Sequence, residues 1–161
     1  KLVHSRRHGL RRAMQHRLSE FMRSIELIIH LFQRFCWLDE GLQARVHDRG
    51  WPDISRAQSM VMVNIVSGVT RPSEIARRMG VSRQAIHSTI AQMVEKDVVT
   101  LEDDPDDARH KRLMLTPFGE QMRGDAQDAM SELVAQITAK VGQKRFEMLL
   151  ETLAADWGKP I

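Results

Sequence analysis

Apolar residues recur three and four positions apart along much of the chain, which is the spacing of one face of an α-helix. Over residues 18–38 this stripe predicts one long helix whose apolar surface is broader than a small domain needs for its own core. We therefore expect this helix to pack also against a second subunit. A short helix is predicted over residues 40–49, ending at Gly50 and Pro52. The long stripe consists of Phe21, Ile25, Leu27, Ile28, Leu31, Phe32, Phe35 and Leu38.

The next helix has a clear start signal. Ser55 and Gln58 have the spacing of a capping box, in which each residue satisfies a backbone N–H of the other. Gly68 is expected to end the helix. Its predicted buried face should support the following helices from behind. That face consists of Ala57, Met60, Val61, Ile65 and Val66.

Two short helices joined by a tight turn come next. Gly80 can adopt the positive φ needed where the first helix stops, and Ser82 is predicted to cap the second. Ile86, Ile90 and Met93 put apolar groups on one side of that second helix. This is helix-turn-helix geometry, in which the second helix can lie in the major groove of DNA. Facing away from the core should be Gln84, Ser88 and Gln92.

A β-hairpin, or wing, is predicted after the second helix. Residues 98–101 form a short strand, residues 103–110 form a polar turn, and residues 111–115 alternate as a returning strand would. Thr116 as N-cap and Pro117 as first helical residue then start a long helix. Gly142 interrupts this helix, and a final amphipathic helix follows with Phe146, Leu149, Leu150, Leu153 and Trp157.

Composition adds a few limits. The chain has 161 residues and a formal charge of +3, with seven Lys or Arg and one acid in residues 1–23. The basic segment 1–17 could be a solvated tail, a frayed helix start or an arm that follows DNA phosphates. A single cysteine, no signal-peptide pattern and no long apolar run lead us to expect a cytoplasmic protein without disulfides or a membrane span.

The order of these elements resembles the MarR family of bacterial transcription regulators over nearly all of residues 18–157. The most specific part is the wing, where Asp107-Ala108-Arg109 followed by Leu115-Thr116 matches the family signature D-x-R-x-x-x-x-x-L-T. The family often has a second arginine where this chain has Ala108. The resemblance implies that Asp107 holds Arg109 in place, and that DNA is released when a small aromatic or anionic effector binds.

The physical character of the residues also favours DNA. A helix N-terminus attracts phosphate, while Arg83, Gln84, His87 and Ser88 offer hydrogen-bond donors to phosphates and base edges. Arg109 on a narrow hairpin suits a minor groove. Acids of the wing would repel DNA, so we expect only the tip to approach the groove. The predicted DNA-binding residues are Arg71, Ser82, Arg83, Gln84, Ala85, His87, Ser88, Gln92, Arg109 and Lys111.

Weaker signals concern small ligands. Cys36 is either a buried structural residue or a peroxide sensor, and His4 and His8 are four apart but lack a third metal ligand. We predict no metal and no cofactor. Phosphate-binding glycine loops, nucleophile elbows and zinc-protease motifs are missing, so we do not expect an enzyme. The residues predicted to line an effector pocket, unless they are plain core, are Phe32, Cys36, Trp51, Met62 and Met122.

Together these features predict a mainly α fold with a small β-wing: a winged helix-turn-helix with long N- and C-terminal dimerisation helices. The expected function is a homodimeric repressor that binds a pseudo-palindromic DNA duplex and is relieved by an effector. A winged helix that binds protein instead is the alternative. One compact unit is expected, with a basic arm (1–17), N-terminal dimerisation helices (18–54), a DNA-binding lobe (55–116) and C-terminal dimerisation helices (117–161).

Overall fold

Six helices and one two-stranded antiparallel sheet make up the part of the chain that the structure describes. This computed structural model describes the backbone of residues 2–105 and 107–159, and the side chains of residues 14–105, 107 and 109–159. It divides into two compact units, Lys1–Leu38 and Asp39–Ile161. The predicted fold class, mainly α with a small β-wing, is confirmed. In chain order the elements are α1 (Leu2–Asp48), α2 (Arg56–Val66), α3 (Pro72–Met79), α4 (Arg83–Glu95), β1 (Val99–Asp104), β2 (Asp107–Leu115), α5 (Pro117–Val141) and α6 (Gln143–Ala154).

Helix α1 is longer than the sequence pattern indicates. It is continuous to Asp48, so the separate short helix predicted over residues 40–49 is wrong. Gly41 does not interrupt the helix, because its missing side chain allows close packing: a Cβ there would lie 2.9 Å from Leu133 Cδ2 of α5. The backbone is helical from Leu2, and whether the basic segment follows DNA phosphates stays a prediction.

Helices α2 to α4 begin and end at the residues that the sequence indicates. The Ser55 side chain accepts from Gln58 N, and the Gln58 side chain accepts from Ser55 N, which completes the predicted capping box. Gly80 adopts a left-handed conformation with φ of 64° at the end of α3. Ser82 Oγ then accepts from Ala85 N at 3.1 Å and caps α4. The helix-turn-helix is therefore fixed by short-range hydrogen bonds.

The wing strands extend further than predicted. Val99 pairs with Leu115 and Asp103 pairs with Lys111, with an irregularity in register after Asp103. Between the strands lie residues 105–106, so the long polar turn predicted over residues 103–110 is wrong. The strands continue because opposite charges face each other across the ladder, which stabilises strand pairing. Asp106 lies outside the described residues.

Helices α5 and α6 follow the wing as predicted, except that α6 ends at Ala154, so Trp157 was wrongly placed in the final helix. Thr116 Oγ1 accepts from Gly119 N at 2.9 Å and caps α5, and Pro117 is its first residue. Gly142, with φ of 88°, separates α5 from α6. Gly119 lies directly against the start of the wing, because a Cβ on it would be 2.0 Å from the carbonyl oxygen of Val98.

One hydrophobic core lies within the Asp39–Ile161 unit. It holds apolar residues of α2, α3, α4, both strands and α5, and Gln58 is buried among them with 1% of its surface exposed. Within the described residues, none of the helices combines the length and the apolar character needed to cross a membrane. The side chains that are buried most completely are Ile75, Ile86, Ile90, Met93, Leu113, Leu133, Gln58, Val61, Val98 and Val99.

Candidate nucleic-acid interface

The first half of α4 presents a row of exposed side chains. Ile86, Ile90 and Met93 are buried, and they fix which side of the helix turns toward the core. The opposite side starts at the capped N-terminus, where the backbone N–H groups carry partial positive charge. The structure therefore brings six of the predicted DNA-binding residues onto one exposed surface. They are Ser82, Arg83, Gln84, Ala85, His87 and Ser88.

Gln92 lies further along the same helix and is also exposed. Its Oε1 accepts a hydrogen bond from Nε2 of the buried Gln58 on α2, at 3.1 Å. Sequence reasoning predicted Gln92 to face outward and to bind DNA, and it missed this contact. The amide is thus held by the helix behind it rather than left to rotate freely.

At the tip of the wing, Asp107 grips Arg109 with two hydrogen bonds between their side chains. Arg109 Nε donates to Asp107 Oδ1 at 2.9 Å and Nη2 donates to Oδ2 at 3.0 Å. The backbone N–H of Arg109 also donates to Oδ1, at 3.2 Å. These bonds hold the pKa of Asp107 below its usual value, with the Arg109 side chain as the main cause, and raise the pKa of Arg109. The carboxylate therefore stays ionised at neutral pH and would release Arg109 only in acid.

The remaining described acids of the wing are paired with bases. Arg112 Nη2 contacts Glu102 at 3.3 Å, and Lys111 Nζ contacts Asp103 at 2.7 Å. Each pair joins residues that face each other across the two strands. The charges of these acids are thus compensated within the hairpin, which reduces the repulsion of phosphate that the sequence leads one to expect.

Arg71 occupies the junction between α3 and the wing. Its Nε donates to Asp104 Oδ2 at 2.6 Å, and Asp104 is buried to 7% exposure. The neighbouring Thr70 carbonyl accepts from Leu113 N of β2 at 2.8 Å. Arg71 was predicted only as a phosphate contact, and the structure adds a second role: it fastens the turn end of β1 to the start of α3.

An apolar cavity of about 520 Å³ lies within the Asp39–Ile161 unit, between the end of α1, α2 and α5. Two of the five predicted pocket residues, Met62 and Met122, line it.

The other three predicted pocket residues do not line the cavity. The Trp51 side chain instead donates a hydrogen bond from Nε1 to Asp125 Oδ2 at 2.6 Å. Phe32 and Cys36 belong to the other compact unit, and the Cys36 thiol is free and half-buried. Polar lining residues that sequence reasoning missed are Gln43, Ser59, Arg123, Gln127 and Ser131.

These polar groups could not have been found from periodicity, because each falls at the margin of a helix face. Gln43 Nε2 donates to Ser59 Oγ across the cavity wall.

Among the side chains that the structure describes, no group of three or more His, Cys, Asp or Glu is placed to hold a metal ion. The side chains of His4 and His8 lie outside that described part.

The fold and the exposed helix beside a charged hairpin define a winged helix-turn-helix protein. Residues 53–110, which include the helix-turn-helix and the wing tip, match the model of the MarR family. A curated relative in Bacillus subtilis (strain 168), the uncharacterized HTH-type transcriptional regulator YdgG, is 26% identical over 115 residues, which are 70% of this chain and 76% of the relative.

Solved structures share the fold. The MarR family transcription regulator SP03579 has 13% identity and a TM-score of 0.65, with 88% of this chain and 90% of that chain covered. The transcriptional repressor CouR, solved bound to a 23-mer DNA duplex, has 20% identity and a TM-score of 0.62, with 77% and 87% covered.

The chain is thus similar to the MarR family over its helix-turn-helix and wing, and it shares the overall fold of solved transcription regulators. The curated relative and the two solved proteins are named as transcriptional regulators, which agrees with the expectation that the chain is not an enzyme.

Proposed function

We propose that this regulator is a sequence-specific, homodimeric repressor that binds a pseudo-palindromic duplex. The observation that carries the proposal is the joint presence of two features in one unit. The donor-rich N-terminal half of α4 is exposed and held from behind, and Arg109 is held at the wing tip by Asp107. Such a helix suits base edges in the major groove, and such an arginine suits a narrow minor groove.

In this proposal the exposed residues of α4 read bases, while Arg71 and Lys111 lie close to phosphates. Lys111 and Arg71 are both bonded to wing acids, so their first task is to hold the hairpin, and phosphate contact uses their remaining donors. Most of the sequence discrimination then comes from α4 rather than from the wing.

Exposed apolar surface supports the proposal of a homodimer. Phe21, Ile28 and Phe32 on α1 are each more than 60% exposed, which is costly for a lone protomer in water. A second set, on α6 and just after it, includes Leu150 and Trp157. The segments 18–54 and 117–161 are accordingly proposed as the dimerisation helices, and two recognition helices about 34 Å apart would read two half-sites.

The cavity supports the proposal of a small effector. Its wall is mostly aliphatic and Met side chains, with Gln43, Ser59 and Arg123 as polar groups. A mainly apolar pocket with a few polar groups is typical of small-ligand sites. An apolar molecule with one acidic end, such as an aromatic carboxylate, matches this lining. Release of DNA requires that the ligand favour one spacing of the recognition helices over another. We propose a cytoplasmic location because DNA is the partner.

The test is selection of duplexes from a random pool, followed by affinity measurements at several salt concentrations. We expect one palindromic sequence to be enriched, with log affinity falling linearly as log salt rises, by about 0.9 per phosphate neutralised. Equal affinity for all duplexes, or none at low salt, would contradict the proposal and favour a protein-binding winged helix.

The effector is tested in the same assay with benzoate as the probe. We expect benzoate to weaken binding of the selected duplex by the unmodified chain. Ala126→Leu, which fills part of the cavity, should remove that response. Ala139→Leu on the exposed side of α5 is the matched control and should keep it.

A further inference from the structure

Gln58 is the one glutamine in the core of the described chain, and its amide is the centre of a polar bridge. Only 1% of the residue is exposed. Burying an amide is costly unless its hydrogen bonds are made, so a buried glutamine among apolar residues needs a reason.

The bridge joins the start of α2 to the far end of the recognition helix α4. Gln58 Nε2 donates to Gln92 Oε1 at 3.1 Å, and Gln58 Oε1 accepts from Lys96 Nζ at 3.3 Å. The same Oε1 accepts from Ser55 N at 2.9 Å. Lys96 Nζ also donates to the carbonyl oxygen of Asp53, in the loop before α2. The side chains of Gln92 on α4 and of Lys96, the residue that caps its C-terminus, are thus tied to residues 53–58.

The packing alone leaves one motion of α4 weakly restrained. The buried side chains Ile86, Ile90 and Met93 form a single apolar row along the helix, and apolar contacts are non-directional, so they define the roll of the helix about its axis less sharply than hydrogen bonds do. Hydrogen bonds have preferred directions, so the contacts to Gln92 and Lys96 restrain rolling at the C-terminal end. Rolling of α4 would change which atoms of Gln84 and Ser88 meet the base edges.

We propose that Gln58 is a positioning residue for the recognition helix, setting its roll angle and thereby its discrimination among base pairs. This inference rests on the proposed function, because it assumes that α4 reads DNA. Gln58 itself lies behind α4 and touches no DNA. Its role differs from that of the capping box, which stabilises α2 alone.

The experiment compares Gln58→Leu with Ser55→Ala. The first removes the bridge. The second removes the hydroxyl that caps α2 but keeps the Gln58 side chain and its bonds to α4. Both variants should lower the melting temperature. Affinity is then measured well below that temperature, for the tightest duplex from the random pool and for its single-base-pair variants.

Gln58→Leu should lower the ratio of affinities for the selected and the substituted duplexes by about tenfold, the effect of weakening one good base contact. Ser55→Ala should leave that ratio unchanged. Equal changes in the two variants would overturn the inference, since loss of α2 stability would then explain both. If the unmodified chain shows no preference among duplexes, the proposed function itself has failed.

A second variant covers the case in which Gln58→Leu does not fold. Lys96→Met removes the other tie to α4 at a half-buried position, and should also lower the affinity ratio. If both single variants fold, the double variant should lose less than the product of the two single losses, because both act through one bridge. An unchanged ratio in Lys96→Met, or losses that multiply, would overturn the inference.

Discussion

At the scale of single residues, Arg109 on the wing and Gln84 on α4 have different proposed roles. Arg109 positions the protein on DNA, and Gln84 reads a base. Asp107 holds Arg109 with two parallel hydrogen bonds between its carboxylate and the guanidinium. A guanidinium binds a phosphate in the same bidentate manner. Gln84 on α4 is exposed beside the capped helix start. Truncation of Arg109 and truncation of Gln84 should therefore have different effects on DNA binding.

For Arg109→Ala we expect weaker binding to every duplex with little change in folding, because the side chain is exposed and its described hydrogen bonds go to Asp107. Gln84→Ala is the matched comparison. It should relax sequence preference at one base position by about 1–3 kcal/mol and leave the others unchanged. Affinities for a set of singly substituted duplexes measure both effects. If neither substitution alters binding, the proposed placement of wing and helix is wrong.

At the scale of elements, the wing and the start of α5 meet in a close backbone contact. Thr116 N donates to the Val98 carbonyl at 3.2 Å, and Gly119 lies over the same carbonyl. The helix and the base of the wing are thereby fixed to one another. A displacement here would carry the hairpin with it.

Gly119→Ala should destabilise the protein, because its Cβ would lie 2.0 Å from Val98 O and backbone must move to make room. Overpacking of this kind costs about 1–3 kcal/mol. Gly124→Ala in the same helix is the control, since no atom lies within 4 Å of its added Cβ. It should stabilise by roughly 0.5–1 kcal/mol. Urea unfolding at one fixed protein concentration measures both, and equal effects would contradict the contact.

The start and end points of the elements could be predicted because their signals are local. Ser55, Gly80, Ser82, Thr116 and Gly142 each act within a few residues of chain, so spacing and residue type were sufficient. The exposed side of α4 followed in the same way from its apolar row.

What could not be predicted depends on residues that are distant in sequence. Gly41 remains helical because of Leu133, about ninety positions away, and the strands extend because Asp103 meets Lys111 across the ladder. The partner of Gln92 is on another helix. No periodic pattern in one segment carries information about such pairs.

At the scale of the whole molecule, the main open question is what covers the exposed apolar residues. Within the described part, Phe21, Ile28 and Phe32 form one exposed stripe on α1, at intervals of seven and four residues. Stripes of this period are typical of helices that pack against other helices. A second copy of the chain is the proposed cover.

We expect the unmodified chain to sediment as a dimer at micromolar concentration. Ile28→Glu should shift it toward monomer, because a charge would be buried in the proposed interface. His30→Glu, on the opposite side of α1, should leave the dimer intact. A monomeric unmodified chain, or equal effects of the two substitutions, would count against the dimer.

The internal pairing of the wing charges has a kinetic consequence. Asp107 with Arg109, Asp103 with Lys111 and Glu102 with Arg112 each sum to no net charge, so they contribute little to the long-range field that draws a protein toward DNA. The rate of encounter then depends on charges elsewhere in the chain. In the proposed complex the wing acts after encounter, when Arg109 comes within reach of the minor groove, and it therefore affects the lifetime of the complex more than the rate of association.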